Sequence, residues 1–207
     1  IIMYSVIVVL FSMIIGLEII SIILEKNINF KYVEKYDIYE ILSGFIDKYQ
    51  IPSFMIETDS KTFSYSYLQN KIYIEDRKLA GSKYIKGVHE ISHAVDSHTK
   101  ITSTIFVMMP HIKIARWILI GIILISNNVE IVQATPFISL YMALSILSVF
   151  NLIYIESRAN ILVKSFNNLG RDFCVMTYIW ISFFLQIIWS VFFIILPINI
   201  IKILSLL

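Results

Sequence analysis

The stretch FCVMTYIWISFFLQIIWSVFFIILPINII, residues 173–201, runs for 29 positions without a charged side chain. At about 1.5 Å of helical rise per residue it exceeds the ~30 Å hydrocarbon core of a bilayer, so it reads as a membrane-spanning helix. Pro197 is expected as a kink or an exit from it. Residues 1–24 form a second such run, with Glu18 as the sole charge. No Lys or Arg precedes that run and no small-x-small cleavage site follows, which favours a first transmembrane helix over a signal peptide. The chain opens Ile-Ile-Met, and the natural start is expected at Met3 or further upstream. Glu18 is expected at the interface or against a neighbouring helix. The span 104–155 reads as a transmembrane hairpin. Its first arm, 112–126, is short and carries Lys113 and Arg116, which can snorkel; its second, 131–155, is entered at Thr135-Pro136.

Composition points the same way. Charged residues make up 15% of the chain, against ~25% in a soluble domain, and mean hydropathy is +0.77, so the chain needs a lipid bilayer as partner. A formal net charge of +2, with the central lysines interleaved among acids, excludes a nucleic-acid surface. Cys174 is the only cysteine, which excludes an intrachain disulfide.

Residues 25–103 differ from their flanks and read as a small soluble α+β segment. Ile38, Ile41, Leu42, Phe45 and Tyr49 recur at helical spacing between charged residues, predicting an amphipathic helix that ends before Pro52. Residues 53–58, 62–67 and 71–75 are β-prone runs separated by Asp59-Ser60 and Gln69-Asn70, predicting a short antiparallel meander. From Gly81 or Ser82, a possible N-cap position, SKYIKGVHEISHAVDSH predicts a helix interrupted only by Gly87. The expected organisation is a transmembrane helix at 1–24, the soluble segment at 25–103, the hairpin at 104–155, a helix and loop at 156–172, and a fourth transmembrane helix at 173–207.

Lys26, Lys31 and Lys35 follow the first span, Lys113 and Arg116 precede the second, and Arg158, Lys164 and Arg171 separate the third from the fourth, whereas 127–135 has no basic residue. The positive-inside rule then predicts a multi-pass cell-membrane protein with its soluble segment and residues 156–172 on the cytoplasmic face.

His89-Glu90-Ile91-Ser92-His93 lies inside the predicted helix. A spacing of four places both imidazoles on one face, one turn apart, within reach of a single metal ion. Glu90 follows the first histidine and stands beside such an ion, where a carboxylate can act as catalytic general base towards water whose pKa zinc lowers to about 7. A structural zinc site fills four protein positions, usually with cysteine, and Cys174 is the only one and lies in a separate apolar run, so a catalytic site with three protein ligands and one open position fits better. His98 cannot complete a metzincin pattern, because Asp96 and Thr99 stand where Gly and His are required, and it reads as an exposed helix-end histidine. His111, close to a membrane boundary, has no assigned role.

HEISHAVD, behind a first transmembrane segment, an amphipathic helix and a meander, and followed after a hairpin by Glu156-Ser157-Arg158-Ala159-Asn160, resembles the bacterial membrane zinc metallopeptidases of the YugP type. More distantly it is similar to the gluzincin membrane proteases that include the prenyl-protein endopeptidases, whose second motif is Glu-x-x-Ala-Asp. The resemblance implies that Glu156 is the third zinc ligand, and that Asn160, an amide in place of an acid, supports a ligand imidazole from behind. Asp96 is the other carboxylate in reach of the motif helix. Its axial rise of about 10 Å from His89 makes three ligands on one straight helix difficult to bring to one ion, whereas Glu156 approaches from another helix.

The function expected is a membrane-embedded zinc endopeptidase, acting on a peptide or membrane-protein substrate through a zinc-activated water with Glu90 as base. A non-catalytic metal-binding scaffold or partner subunit is the alternative, and the presence of Glu90 argues against it. A channel or transporter is disfavoured, because polar residues concentrate in the soluble segment and not as paired charges within spans.

Overall fold

The computed structural model describes residues 2–50, 54–126, 135–166 and 169–204. Residues 127–134, which include the expected polar break and the start of the expected 131–155 arm, lie outside the described residues. The described residues form six α-helices: α1 (Ile2–Lys31), α2 (Ile38–Tyr49), α3 (Gly81–Asp96), α4 (Lys100–Ser126), α5 (Thr135–Lys164) and α6 (Phe173–Leu204). Five short strands lie between α1 and α3: β1 (Tyr36–Asp37), β2 (Met55–Glu57), β3 (Ser64–Ser66), β4 (Lys71–Tyr73) and β5 (Lys78–Leu79).

Four helices are long and apolar enough to cross a membrane, over Ser5–Lys31, Lys100–Ile125, Pro136–Lys164 and Phe173–Ile198. Their side chains face outward in numbers that water would not tolerate: Val8 is 63% exposed, Trp117 67% and Phe150 65%. The second span begins at Lys100, well before the short 112–126 run. α5 is one uninterrupted helix past the expected end of its span, so Glu156 sits on a helix that is already apolar. α6 likewise passes Pro197 and continues to Leu204. Glu18 is exposed on α1.

The contacts divide the chain into two compact units, one of Ile19–Val107 and Tyr154–Phe183, the other of Ile1–Glu18, Met108–Ile153 and Phe184–Leu207. The second holds an apolar cluster of Leu119, Ile123, Tyr141 and Ile194. In the first, α2 starts at Asp37, whose carboxylate accepts from Tyr39 N, and buries Ile38, Ile41, Leu42 and Phe45. These pack with Ile85, Val88, Ile91 and Val95 of α3 and with Ile72 and Ile74 in one core.

The sheet is not the antiparallel meander expected. Its order is β2-β4-β3, with β3 antiparallel and β2 parallel to β4. The reason lies in burial. Ile72 and Ile74, both at 0% exposure, make the β4 region the only part of these strands with a fully buried face, so β4 takes the centre and β2 must pair on its far side. Alternation identified the strands; it carries no information on their direction.

The start of α3 is also not self-capped. Ala80 is the N-cap residue and supplies no side-chain bond. Asn29 of α1 does so instead, its Oδ1 accepting from Ser82 N at 2.8 Å. Gly81 is required there: φ is +55°, and a Cβ would stand 2.1 Å from Asn29 Oδ1. Gly87 is explained by packing, since a Cβ there would meet Leu79 Cδ1 at 2.5 Å.

Asp172 ties α1 to α6. Its carboxylate accepts from Lys31 Nζ and Tyr32 Oη, each at 2.6 Å, and caps α6 through Cys174 N at 2.9 Å. Burial alone would raise the Asp172 pKa, but Lys31, Tyr32 and the backbone N–H groups outweigh it and hold it below the usual carboxylate range. A lowered folded-state pKa means that this stabilisation is present above the unfolded-state pKa and is lost as pH falls through the folded one. Asp172→Ala is therefore expected to cost about 1–3 kcal/mol at neutral pH and to flatten the acid limb of the unfolding curve. Thermal melts in detergent across pH check both effects.

Candidate metal centre

The face of α3 next to its buried apolar stripe carries His89 and His93, four residues and about one turn apart. Their rings stand nearly perpendicular, at 85°, and their Nε2 atoms are 3.0 Å apart. Glu156 of α5 closes the group, with Oε2 3.1 Å from His89 Nε2 and Oε1 3.4 Å from His93 Nε2. His93 and Glu156 are buried and His89 is partly so. These three side chains could hold a metal ion, and they are the one such group of three or more among the described residues.

A four-coordinate ion with bonds near 2.05 Å separates its ligand atoms by about 3.3 Å. The two Nε2 atoms, 3.0 Å apart, are spaced as two ligands of one such ion, and Glu156 offers each of them a nearby oxygen, Oε2 at 3.1 Å from His89 and Oε1 at 3.4 Å from His93. Electrostatics agree with the geometry. Burial acts to lower the His93 pKa, yet Glu156, with smaller contributions from Glu90 and Asp96, raises it above the ordinary imidazole value. The pocket thus favours positive charge at the point where the three ligand atoms converge. Glu90 is half-buried on the same helix, and its carboxylate acts on His93 through space, without a side-chain hydrogen bond or ion pair among the described residues.

Asp96 is engaged elsewhere. Its Oδ1 accepts from Arg158 Nε at 2.9 Å and Nη2 at 2.7 Å, and its Oδ2 accepts from Thr102 Oγ1 at 2.7 Å. α3 and α5 are therefore joined twice, by the His–Glu–His group and by an ion pair in which two Arg158 nitrogens donate to the one oxygen Asp96 Oδ1. Asn160 lies one turn beyond Glu156 on α5 and is 1% exposed. Neither of its amide atoms, nor His93 Nδ1, has a hydrogen-bond partner among the described residues, so the support expected from Asn160 to a ligand imidazole is not formed. His98 is exposed and leans on Phe54, with ring centroids 5.4 Å apart, and His111 lies in α4 in the other unit. Cys174 is free.

Sequence reasoning missed the ring of Phe106, edge-on to His93 at 6.3 Å between centroids. It also missed Glu25 of α1, which accepts from Ser82 Oγ at 2.7 Å and pairs with Lys86, one turn before Glu90, at 3.1 Å. The alternation of Tyr65 and Tyr67 was a visible signal for an aromatic face; Phe106, inside an apolar run, carried none.

The two carboxylates predict opposite outcomes. Glu156→Gln is expected to lower metal affinity by roughly tenfold or more, since a neutral amide replaces an anionic ligand. Asp96→Asn is expected to retain the metal and to lower stability by about 1–3 kcal/mol, because Arg158 and Thr102 lose a charged acceptor. Competitive chelator titration with a melting curve reads both; the opposite ranking in metal affinity rejects the ligand set.

The sequence matches no protein-family model, and neither a curated protein nor a solved structure is similar to it at a significant level.

Proposed function

We propose that the chain is a membrane zinc endopeptidase of the gluzincin kind, with His89, His93 and Glu156 as ligands and Glu90 as general base. The observation that carries this reading is the convergence of the histidine pair of α3 with Glu156 of α5 at the ligand spacing of a four-coordinate ion. Two imidazoles and one carboxylate suit zinc in its catalytic form, with three protein ligands and a fourth position left for water or substrate. Zinc in that position supplies Lewis acidity, polarising the scissile carbonyl and acidifying the attacking water. Glu90 takes the proton from that water and delivers it to the leaving amine nitrogen. The order of elements and the His89-to-His93 motif resemble those of the YugP-type membrane metallopeptidases, a resemblance that favours the same chemistry.

β3 is an edge strand of its sheet and lies against α3, which suits an extended substrate bound by backbone hydrogen bonds. The substrate class is then a peptide or a membrane-anchored protein with an extended segment. The test is a comparison of membrane peptides in cells carrying wild type and Glu90→Gln: substrates accumulate uncut in the variant, and identical peptide profiles reject the activity.

The site is assigned to the cytoplasmic face. The end of α1 and the start of α6 meet through Lys31 and Asp172, at ends rich in Lys and Arg. Impermeant thiol labelling of intact cells is expected to modify a cysteine placed at Asn128 and to spare one at Ser60. The reverse pattern moves the site to the other side.

A further inference from the structure

Tyr65 lies in β3, and Phe63 and Tyr67 flank the strand on either side at alternate positions. Phe63 approaches Gly87 of α3, its Cε1 3.9 Å from where a Cβ would stand. The Tyr65 hydroxyl meets Ser97 Oγ, just past the end of α3, at 2.9 Å. The aromatic face therefore runs along α3 past the turns that carry His89 and His93. Tyr67 extends it onto α4, where its ring stacks on Phe106 with centroids 5.5 Å apart and planes 4° apart. Tyr65 meets the same Phe106 ring edge-on at 5.8 Å. Phe106 in turn stands edge-on to His93, so a continuous aromatic shelf ends at a ligand of the metal centre. Tyr67 and Phe106 are half-buried and lie outside the apolar cluster between α2 and α3, so core packing does not account for them.

The shelf selects among side chains by simple physics. Stacked rings beside an edge strand offer apolar contact area to one side chain of an extended chain paired along β3. A cationic side chain, which aromatic faces also attract, would meet the positive charge of the metal at His93. An anionic one finds ring faces of negative potential and no basic partner in the shelf. Phe106 is six residues into α4, whose Lys100–Ile125 stretch is long and apolar enough to cross a membrane, so the shelf belongs in part to a helix of membrane character.

We infer that the Tyr67–Phe106 shelf is the subsite for a large apolar side chain adjoining the scissile bond, so that the substrates are extended juxtamembrane or apolar peptide segments. This rests on the metallopeptidase reading above, and its test separates the two. The full chain in detergent micelles, loaded with Co²⁺, is titrated with acetohydroxamate, N-acetylphenylalanine hydroxamate and N-acetyllysine hydroxamate, and binding is followed by the cobalt visible spectrum. Acetohydroxamate reports the metal alone. The phenylalanine probe is expected to bind roughly 10- to 100-fold tighter than acetohydroxamate, and the lysine probe no tighter. Phe106→Ala, with cobalt bound, should cut the ratio of phenylalanine-probe to acetohydroxamate affinity to about threefold or less, whatever the absolute affinities. Tyr67→Leu does the same should Phe106→Ala fail to fold. Equal binding of acetohydroxamate and the phenylalanine probe by wild type, or a preference that survives substitution of the shelf, removes the subsite and leaves the metal centre standing. Failure of the wild-type chain to bind cobalt removes both.

Discussion

Replacing either His89 or His93 by alanine is expected to empty the metal centre, lowering zinc affinity by roughly 10²-fold or more, with the double variant devoid of stoichiometric metal. The size of the effect follows from the ligand count. Three protein atoms converge here, and loss of one leaves a histidine and a carboxylate, too few to compete with water and buffer for the ion. The two substitutions should not be equivalent for the fold. His93 is 7% exposed and sits edge-on to Phe106, whereas His89 is more open, so His93→Ala leaves a cavity and carries the greater loss of stability. Metal analysis of purified protein in detergent, with a melting curve for each variant, reads the two effects separately. One zinc per chain surviving in the double variant would overturn the centre.

What the sequence made legible was what depends on periodicity and composition alone. Apolar runs with few charges identified all four candidate spans, although the second, read as 112–126, extends back to Lys100. Helical spacing put His89 and His93 on one face, and the limit on three ligands along one helix favoured Glu156 over Asp96; the ion pair of Asp96 with Arg158 shows where that carboxylate went. The illegible parts depend on long-range placement. The strand runs carried no direction, so the parallel pairing of β2 with β4 could not be read. The cap of α3 comes from Asn29 on another helix, which no local pattern encodes. Phe106 is indistinguishable in sequence from the lipid-facing residues of α4, and only the approach of β3 makes it a neighbour of His93.

Glu90→Gln is expected to abolish hydrolysis, by roughly 10²- to 10⁴-fold, while zinc content and melting temperature stay near wild type. The two readouts separate for a physical reason. Glu90 is half-buried and its side chain forms no hydrogen bond or ion pair among the described residues, so an amide of the same shape leaves no partner unpaired and opens no cavity. It stands about 100° around α3 from His89, beside the ligands and not among them, so the metal is retained. What the amide cannot do is accept a proton from the attacking water, and without that acceptor the leaving amine has no donor. Glu90→Asp supplies a second point: it keeps the acid but withdraws it by one methylene, and should leave activity between the other two. A quenched-fluorescent peptide with phenylalanine at its centre serves as substrate, with metal analysis on the same preparations. If Glu90→Gln cleaves that peptide as fast as wild type with zinc in place, the carboxylate is not the base. Loss of zinc together with activity would make Glu90 a ligand and require a different base.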